Sequence, residues 1–266
     1  MSFLQIYGMG AGGILALMVV LWIVSLIMEN ASIVDIFWGP GFVLANWIYF
    51  ALGDGAVTRS WFISILVTIW GLRLGGYILW RNSGKGEDFR YRRWREESMA
   101  SWWWASLFKI FLLQGLLMWI VSAPLVVVHA AGGPTKLIWL DGIAVALWGA
   151  GFLFEAIGDL QLARFKVDPA NEGQVLDRGL WRYTRHPNYF GDAVQWWAYY
   201  LIAIVSGGAW TIFSPILMTV LLVRVSGAAL LERSLKDTKP AYREYIESTS
   251  AFVPWFPRQE GENGEE

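Results

Sequence analysis

The stretch GLWRYTRHPNYFGD, Gly179 to Asp192, is a short polar segment between two long hydrophobic ones. It places Arg182, Tyr183, Arg185 and His186 just ahead of Pro187. Proline is at home in the first turn of a helix, where its missing N–H costs nothing, so a helix is expected to begin here. The free N–H groups and positive dipole end of that helix would lie beside three basic side chains, an arrangement suited to holding a phosphate.

The residues on either side are those of a membrane protein. Of 266 residues 56% are hydrophobic, only 16% are charged and 18 are Trp, which points to a polytopic bundle. Cysteine is absent, so disulfides, thiolate metal sites and a cysteine nucleophile are excluded. Hydrophobic runs of about 20 residues, the length that crosses a bilayer, fall at Met9–Met28, Ile33–Leu52, Trp61–Trp80, Trp104–Val128, Ile138–Leu160, Tyr189–Ser206 and Thr211–Leu231. The first lacks a basic n-region and is read as a transmembrane helix, not a signal peptide. Gly8 to Gly13 matches the dinucleotide fingerprint G-x-G-x-x-G but has no strand before it, so its small residues are assigned to helix packing. The expectation is an all-α, seven-helix membrane domain over residues 1–258, with cofactor binding mainly in 138–258 and an acidic, disordered tail at 259–266.

Basic residues set the orientation. Arg81 to Arg95, Arg164 to Arg185 and the tail from Arg233 carry nearly all of them, and the opposite side has Arg59 and Lys136. The positive-inside rule puts the N-terminus outside and the C-terminus and motif in the cytosol. Trp80, Trp102, Trp103, Trp139 and Trp210 near span ends fit interfacial anchoring.

On this topology Asp35, Arg73, Lys109, Glu155, Asp159, Asp192, Arg224 and Glu232 fall in the cytosolic half, and Asp141 does not. A charge near the bilayer centre costs about 3 kcal/mol on insertion scales, so a one-sided cluster suggests a polar cavity. Glu155 and Asp159 are spaced i, i+4 and share a helix face. Arg164, Lys166, Arg178, Arg182 and Arg185 could hold a pyrophosphate and a further phosphate. The carboxylates and Asn188 could bond ribose hydroxyls or a carboxamide, and Tyr183 or Tyr189 could stack on a base. A phosphorylated dinucleotide suits such a cavity. The competing reading, basic residues that set topology or meet anionic lipid, accounts for Arg90 to Arg95.

The pattern Gly179, Trp181, Tyr183, Arg185, His186, Pro187, Tyr189, Gly191 and Asp192 resembles the C-terminal signature shared by steroid 5α-reductases, their bacterial relatives, sterol reductases and isoprenylcysteine carboxyl methyltransferases. Similarity to the bacterial 5α-reductase-like family extends over most of the chain, including Trp70 to Leu74 and Tyr242, Tyr245 and Pro254. The resemblance implies a membrane reductase using NADPH from the cytosol to saturate a carbon–carbon double bond conjugated to a ketone, as in a 3-oxo-Δ4 steroid. Carried over by position, it implies a cofactor set of Arg73, Asp159, Lys166, Arg178, Tyr183, Asn188, Asp192, Arg224 and Glu232, joined by Glu155. Arg164, Arg185 and His186 complete the set from the motif and its loop. Where the steroid enzymes have Gln-Glu this chain has Val34-Asp35, and Trp70 stands in place of a Tyr.

Enone reduction delivers hydride to the β-carbon and needs a donor on the carbonyl oxygen, where negative charge builds. Asp35, kept protonated by burial, is the expected donor, with the Trp70 N–H and Tyr77 as second candidates. The apolar substrate would enter from the bilayer. An excess of Arg and Lys favours NADPH over NADH, because a 2′-phosphate needs a cation. The first alternative is an S-adenosylmethionine-dependent methyltransferase of lipid or prenylated acceptors, whose cofactor leaves the second basic cluster without a role. The second is a channel or scaffold, for which Asp141 and His129 make a poor path. No metal site or nucleic-acid partner is expected, the partners being lipid and an apolar small molecule, and the oligomeric state is left open, a monomer being compatible.

Overall fold

A computed structural model describes residues 1–225 and 241–258, and among them the regular structure is helix, without strands. In chain order the helices are α1 (Phe3–Ile27), α2 (Ile33–Ile36), α3 (Trp38–Leu52), α4 (Val57–Asn82), α5 (Phe89–Ser98), α6 (Trp102–Ser106), α7 (Leu113–Val121), α8 (Ala123–Ala130), α9 (Trp139–Val167), α10 (Pro187–Val205), α11 (Phe213–Val220) and α12 (Ala241–Ser248). Two π-helical segments, Leu107–Leu112 and Leu221–Val225, interrupt the series. Among the described residues four stretches are long and apolar enough to cross a membrane: Phe3–Ile27, Val57–Asn82, Phe89–Val121 and Trp139–Val167.

The boundaries differ from the hydropathy runs for local reasons. α1 begins at Phe3 because Ser2 and Gln5 cap each other's backbone N–H. The run Ile33–Leu52 is split at Phe37 into α2 and α3. The fourth stretch starts at Phe89, and Pro124, in the first turn of α8, restarts the helix after Val121. α9 continues past Leu160 to Val167 because its backbone bonds persist in water and Arg164 and Lys166 complement its C-terminal dipole.

The described chain forms two compact units, Met1–Asp141 with Tyr199–Ser214, and Gly142–Ala198 with Pro215 onward. In the first, small residues let helices approach closely. A Cβ on Gly10 of α1 would fall 2.1 Å from the Tyr49 ring of α3, and one on Gly39 of α3 would fall 2.4 Å from the Gly71 carbonyl of α4. Gly8 to Gly13 thus lies within a packing helix. Polar groups here are used internally. Arg59 donates to both carboxylate oxygens of Asp141 and to the carbonyls of Pro134 and Lys136, with Arg59 and Asp141 each 1% exposed. His129 meets Asn46 at 3.0 Å, and Asn46 donates to Ser64. Asp141 and His129, the two residues of a hypothetical path, are therefore committed to structural bonds.

In the second unit α9 and α10 pack through glycines. A Cβ on Gly151 would meet the Gly191 carbonyl at 2.6 Å, and one on Gly158 would lie 3.1 Å from the Asn188 nitrogen.

Candidate functional site

The motif folds as a staple between α9 and the chain's C-terminal segment, all within the second unit. Gly179 has φ of +64°, a left-handed conformation that glycine adopts without steric cost, and opens a 3₁₀ turn over Gly179–Arg182. Gln161 of α9 accepts from the Leu180 N–H at 3.0 Å, and Trp181 donates its indole N–H to the Gly158 carbonyl at 3.1 Å. On the other side the Arg185 guanidinium donates to the carbonyls of Ile246 and Thr249 at 2.8 and 2.9 Å, at the C-terminal end of α12. The Thr184 hydroxyl donates to the Phe252 carbonyl, and the Trp255 N–H to the Tyr183 carbonyl. The Tyr245 hydroxyl donates to the Trp181 carbonyl. Arg185, expected to face an anion, thus also satisfies a helix C-terminus, where the dipole is negative. α10 begins at Pro187 as expected, and His186 is buried against the Tyr189 ring at 5.6 Å in a stacked arrangement.

Close approach of α9 and α10 creates a buried polar cluster. Glu155, Asp159 and Asp192 are 2%, 4% and 5% exposed. Asn188 donates to Asp159 at 3.1 Å, and Gln195 donates to Glu155 at 2.7 Å. The sequence reading did not single out Gln195, although Asp192 and Gln195 are spaced i, i+3 and share a face of α10. The amide oxygens of Asn188 and Gln195 are buried and accept no hydrogen bond among the described residues. A buried acceptor in that state costs about 1–3 kcal/mol, so the cluster is suited to a ligand bearing amide or hydroxyl donors.

The basic residues line two adjoining cavities. One, about 510 Å³, has Lys166 and Arg185 among apolar walls that include Phe165, Trp181 and Tyr245. The other, about 360 Å³, has Arg164 and Arg178 with Gln161 and Gly179. Arg178 lies over the Phe165 ring at 5.7 Å and donates to Asn171 at 3.4 Å. Glu155, Asp159, Asn188 and Asp192 line neither cavity. Tyr183 is half-exposed beside Phe256, and Arg224 is exposed on a π-helical turn. Glu232 lies outside the described residues.

The remaining candidates belong to the first unit. Trp70, Arg73 and Tyr77 share one face of α4 at i, i+3 and i+7. Trp70 is fully buried beside Phe42 and Tyr199, with ring centroids 5.8 and 6.3 Å away. Tyr77 adjoins Trp80, with Arg81 over its ring. Asp35 of α2 is held by two partners. One of its oxygens accepts from the Tyr91 hydroxyl at 2.6 Å and the other from Arg90 at 3.1 Å. Both oxygens act as acceptors and one faces a cation, while burial raises the carboxyl's pKa above its ordinary value against the opposing pull of Arg90 and the Tyr91 hydrogen bond. Arg90 and Tyr91 were not among the expected site residues. The Gln114 amide reaches the Tyr91 oxygen at 3.3 Å, so that hydroxyl is engaged on both sides. Arg90 also bonds Asp88, and its hydrogen bonds and charge hold that carboxyl below its ordinary pKa although partial burial pushes the other way.

A protein-family model described as protein of unknown function (DUF1295) matches residues 21–249. That family includes steroid 5α-reductase-like proteins. An uncharacterised protein of Schizosaccharomyces pombe is 28% identical over 271 residues, an alignment covering 91% of this chain and 77% of the relative. No solved structure matches the chain.

Proposed function

The chain belongs to the DUF1295 family, and we propose that it is an NADPH-dependent membrane reductase saturating a carbon–carbon double bond conjugated to a ketone in an apolar, 3-oxo-Δ4 steroid-like substrate. The single observation that carries the reading is the pair of buried, unfilled acceptors at Asn188 and Gln195, set in the carboxylate cluster of a unit whose motif loop is basic. A nicotinamide carboxamide and ribose hydroxyls are donors of the kind those atoms lack. Arg164 and Arg178 at one cavity and Lys166 and Arg185 at the other supply cations for phosphate, including the 2′-phosphate that distinguishes NADPH. The proposal carries with it seven spans, an external N-terminus and a cytosolic cofactor site.

When bound, NADPH would supply the hydride. The protein's part is to hold both ligands away from water and to place a hydrogen-bond donor where the enolate charge develops. The candidates for that donor are Asp35, whose burial raises its pKa, and the Trp70 indole N–H and Tyr77 hydroxyl on the α4 face that also carries Arg73. The competing methyltransferase reading keeps the carboxylate cluster, which suits a sulfonium cation, and leaves the cationic cavities without a phosphate.

The test is the melting temperature of the purified protein with NADPH, NADH and S-adenosylmethionine in turn. The reductase reading expects a rise with NADPH, a smaller one with NADH and none with S-adenosylmethionine, since a ligand that binds the folded state stabilises it by RT ln(1 + L/Kd), where L is its free concentration. A rise with S-adenosylmethionine alone would assign the chain to the methyltransferase branch.

A further inference from the structure

The C-terminal segment of the second unit carries the largest exposed apolar side chains that lie outside a helix in that unit. Val253, Trp255 and Phe256 are 60%, 71% and 76% exposed, and Tyr183, 39% exposed, adjoins Phe256 at 6.1 Å. These side chains are presented by an ordered strap. The Arg185 N–H donates to the Ser250 carbonyl, Thr184 holds Phe252, Trp255 donates to Tyr183, and the Arg258 N–H returns to the Ser248 carbonyl. Pro254 and Pro257 keep the segment from becoming helical. So many fixed bonds hold an apolar surface outward at a defined place.

That place is set by α9. Its exposed apolar side chains run from Ile143 through Leu153 and Ile157 to Leu160, after which Arg164 and Lys166 are exposed together with the terminal Val167. The apolar stretch therefore ends near Leu160, and α10 begins beside Gly158, within one turn of that end. Phe252 of the strap packs on Phe190 in the first turns of α10, and Phe190 packs on Phe154 of α9, at 5.8 and 5.4 Å between centroids. The strap thus stands level with the end of a membrane-length apolar helix face, the depth at which Trp and Tyr are enriched in membrane proteins.

We propose that Val253, Trp255 and Phe256 form a membrane-surface anchor that inserts into the headgroup region of the bilayer. Through its bonds to Tyr183, Thr184 and Arg185 the anchor fixes the basic motif at the lipid–water boundary. The surface follows from the strap's geometry whatever cofactor the motif holds.

The absence of cysteine makes the test direct, because each engineered cysteine is the single labelling site. Phe256→Cys, Val253→Cys and, on the exposed side of α12, Glu247→Cys are spin-labelled in the full chain. The chain is reconstituted in nanodiscs of phosphatidylcholine and phosphatidylglycerol. Labels at 253 and 256 are expected to collide several-fold more with dissolved oxygen than with a water-soluble nickel chelate, and the label at 247 is expected to show the reverse. Chelate access at 253 and 256 equal to that at 247 overturns the proposal. So does exclusion of both reagents with dipolar broadening between labels, which would mean that a second copy covers the surface. If Phe256→Cys loses the Tyr183 ring contact and misfolds, Val253→Cys reads the same surface without removing a ring.

Discussion

Tyr91 donates its hydroxyl hydrogen to Asp35 across 2.6 Å, between residues 56 positions apart. With Arg90 on the other carboxylate oxygen, the contact ties α5 to α2 at one end of the first unit. Tyr91→Phe is expected to cost about 1.5–3 kcal/mol, the range for a hydrogen bond to a charged group. Asp35→Asn should destabilise comparably by leaving Arg90 short of a partner. Unfolding by denaturant in detergent micelles measures both. If Asp35→Asn left stability unchanged and removed turnover, Asp35 would be chemical after all.

Arg59 and Asp141 form a buried pair with no exposed rim to relieve a loss. Removing one partner of such a pair costs about 3–5 kcal/mol. Asp141→Ala is therefore expected to unfold at markedly lower denaturant than the parent, and cofactor affinity in the surviving folded fraction should match the parent. An equal loss of affinity would show that the pair also shapes the cofactor site.

If the proposed NADPH binds here, the unfilled amide oxygen of Asn188 and the cation of Arg178 should give different signatures. Asn188→Leu should weaken NADPH and NADH alike, by about tenfold or 1.4 kcal/mol, because the proposed bond is to a group both share. Arg178→Ala should weaken NADPH by a similar factor and leave NADH nearly unchanged. Titration calorimetry with both nucleotides separates the two outcomes, and an equal effect of Arg178→Ala on both would remove the 2′-phosphate assignment.

Asp88 gives a pH dependence with a defined sign. Its folded-state pKa is depressed, chiefly by the hydrogen bonds and charge of Arg90 working against partial burial. Its contribution is therefore fully present above the ordinary carboxylate value of about 3.9 and is lost as pH falls through the lower folded value. Denaturation midpoints measured from neutral pH downward should decline on that acid limb, and Asp88→Asn should make the limb shallower. A steeper limb in the variant would contradict the pairing. The effect is modest, because the side chain is 30% exposed and solvent screens it.

Hydropathy and cap chemistry made much of the helical framework legible. The apolar runs mark helices because a buried or lipid-facing helix must be apolar wherever it meets neither water nor a partner. Pro187 marked the start of α10, and Glu155 and Asp159 share a face as the i, i+4 spacing required. Boundaries were less legible where hydropathy and helicity part: α9 runs through Arg164 and Lys166 because backbone bonding does not end at the edge of a bilayer.

What tertiary structure alone decided is which polar side chain answers which. The partners of Asp35 lie 55 and 56 positions away, that of Glu155 lies 40 away, and Arg185 reaches carbonyls 61 and 64 away. No local spacing encodes such pairings. The sequence by itself determined an apolar helical chain in which Glu155 and Asp159 share one helix face. Only the packing of α9 on α10, and of the C-terminal strap on the motif, decided that Arg185 would serve a helix terminus and that Asn188 and Gln195 would be left with open acceptors, and only the approach of α5 to α2 gave Asp35 its partners. Glycine-lined contact brings the backbones close enough for those groups to meet or to miss.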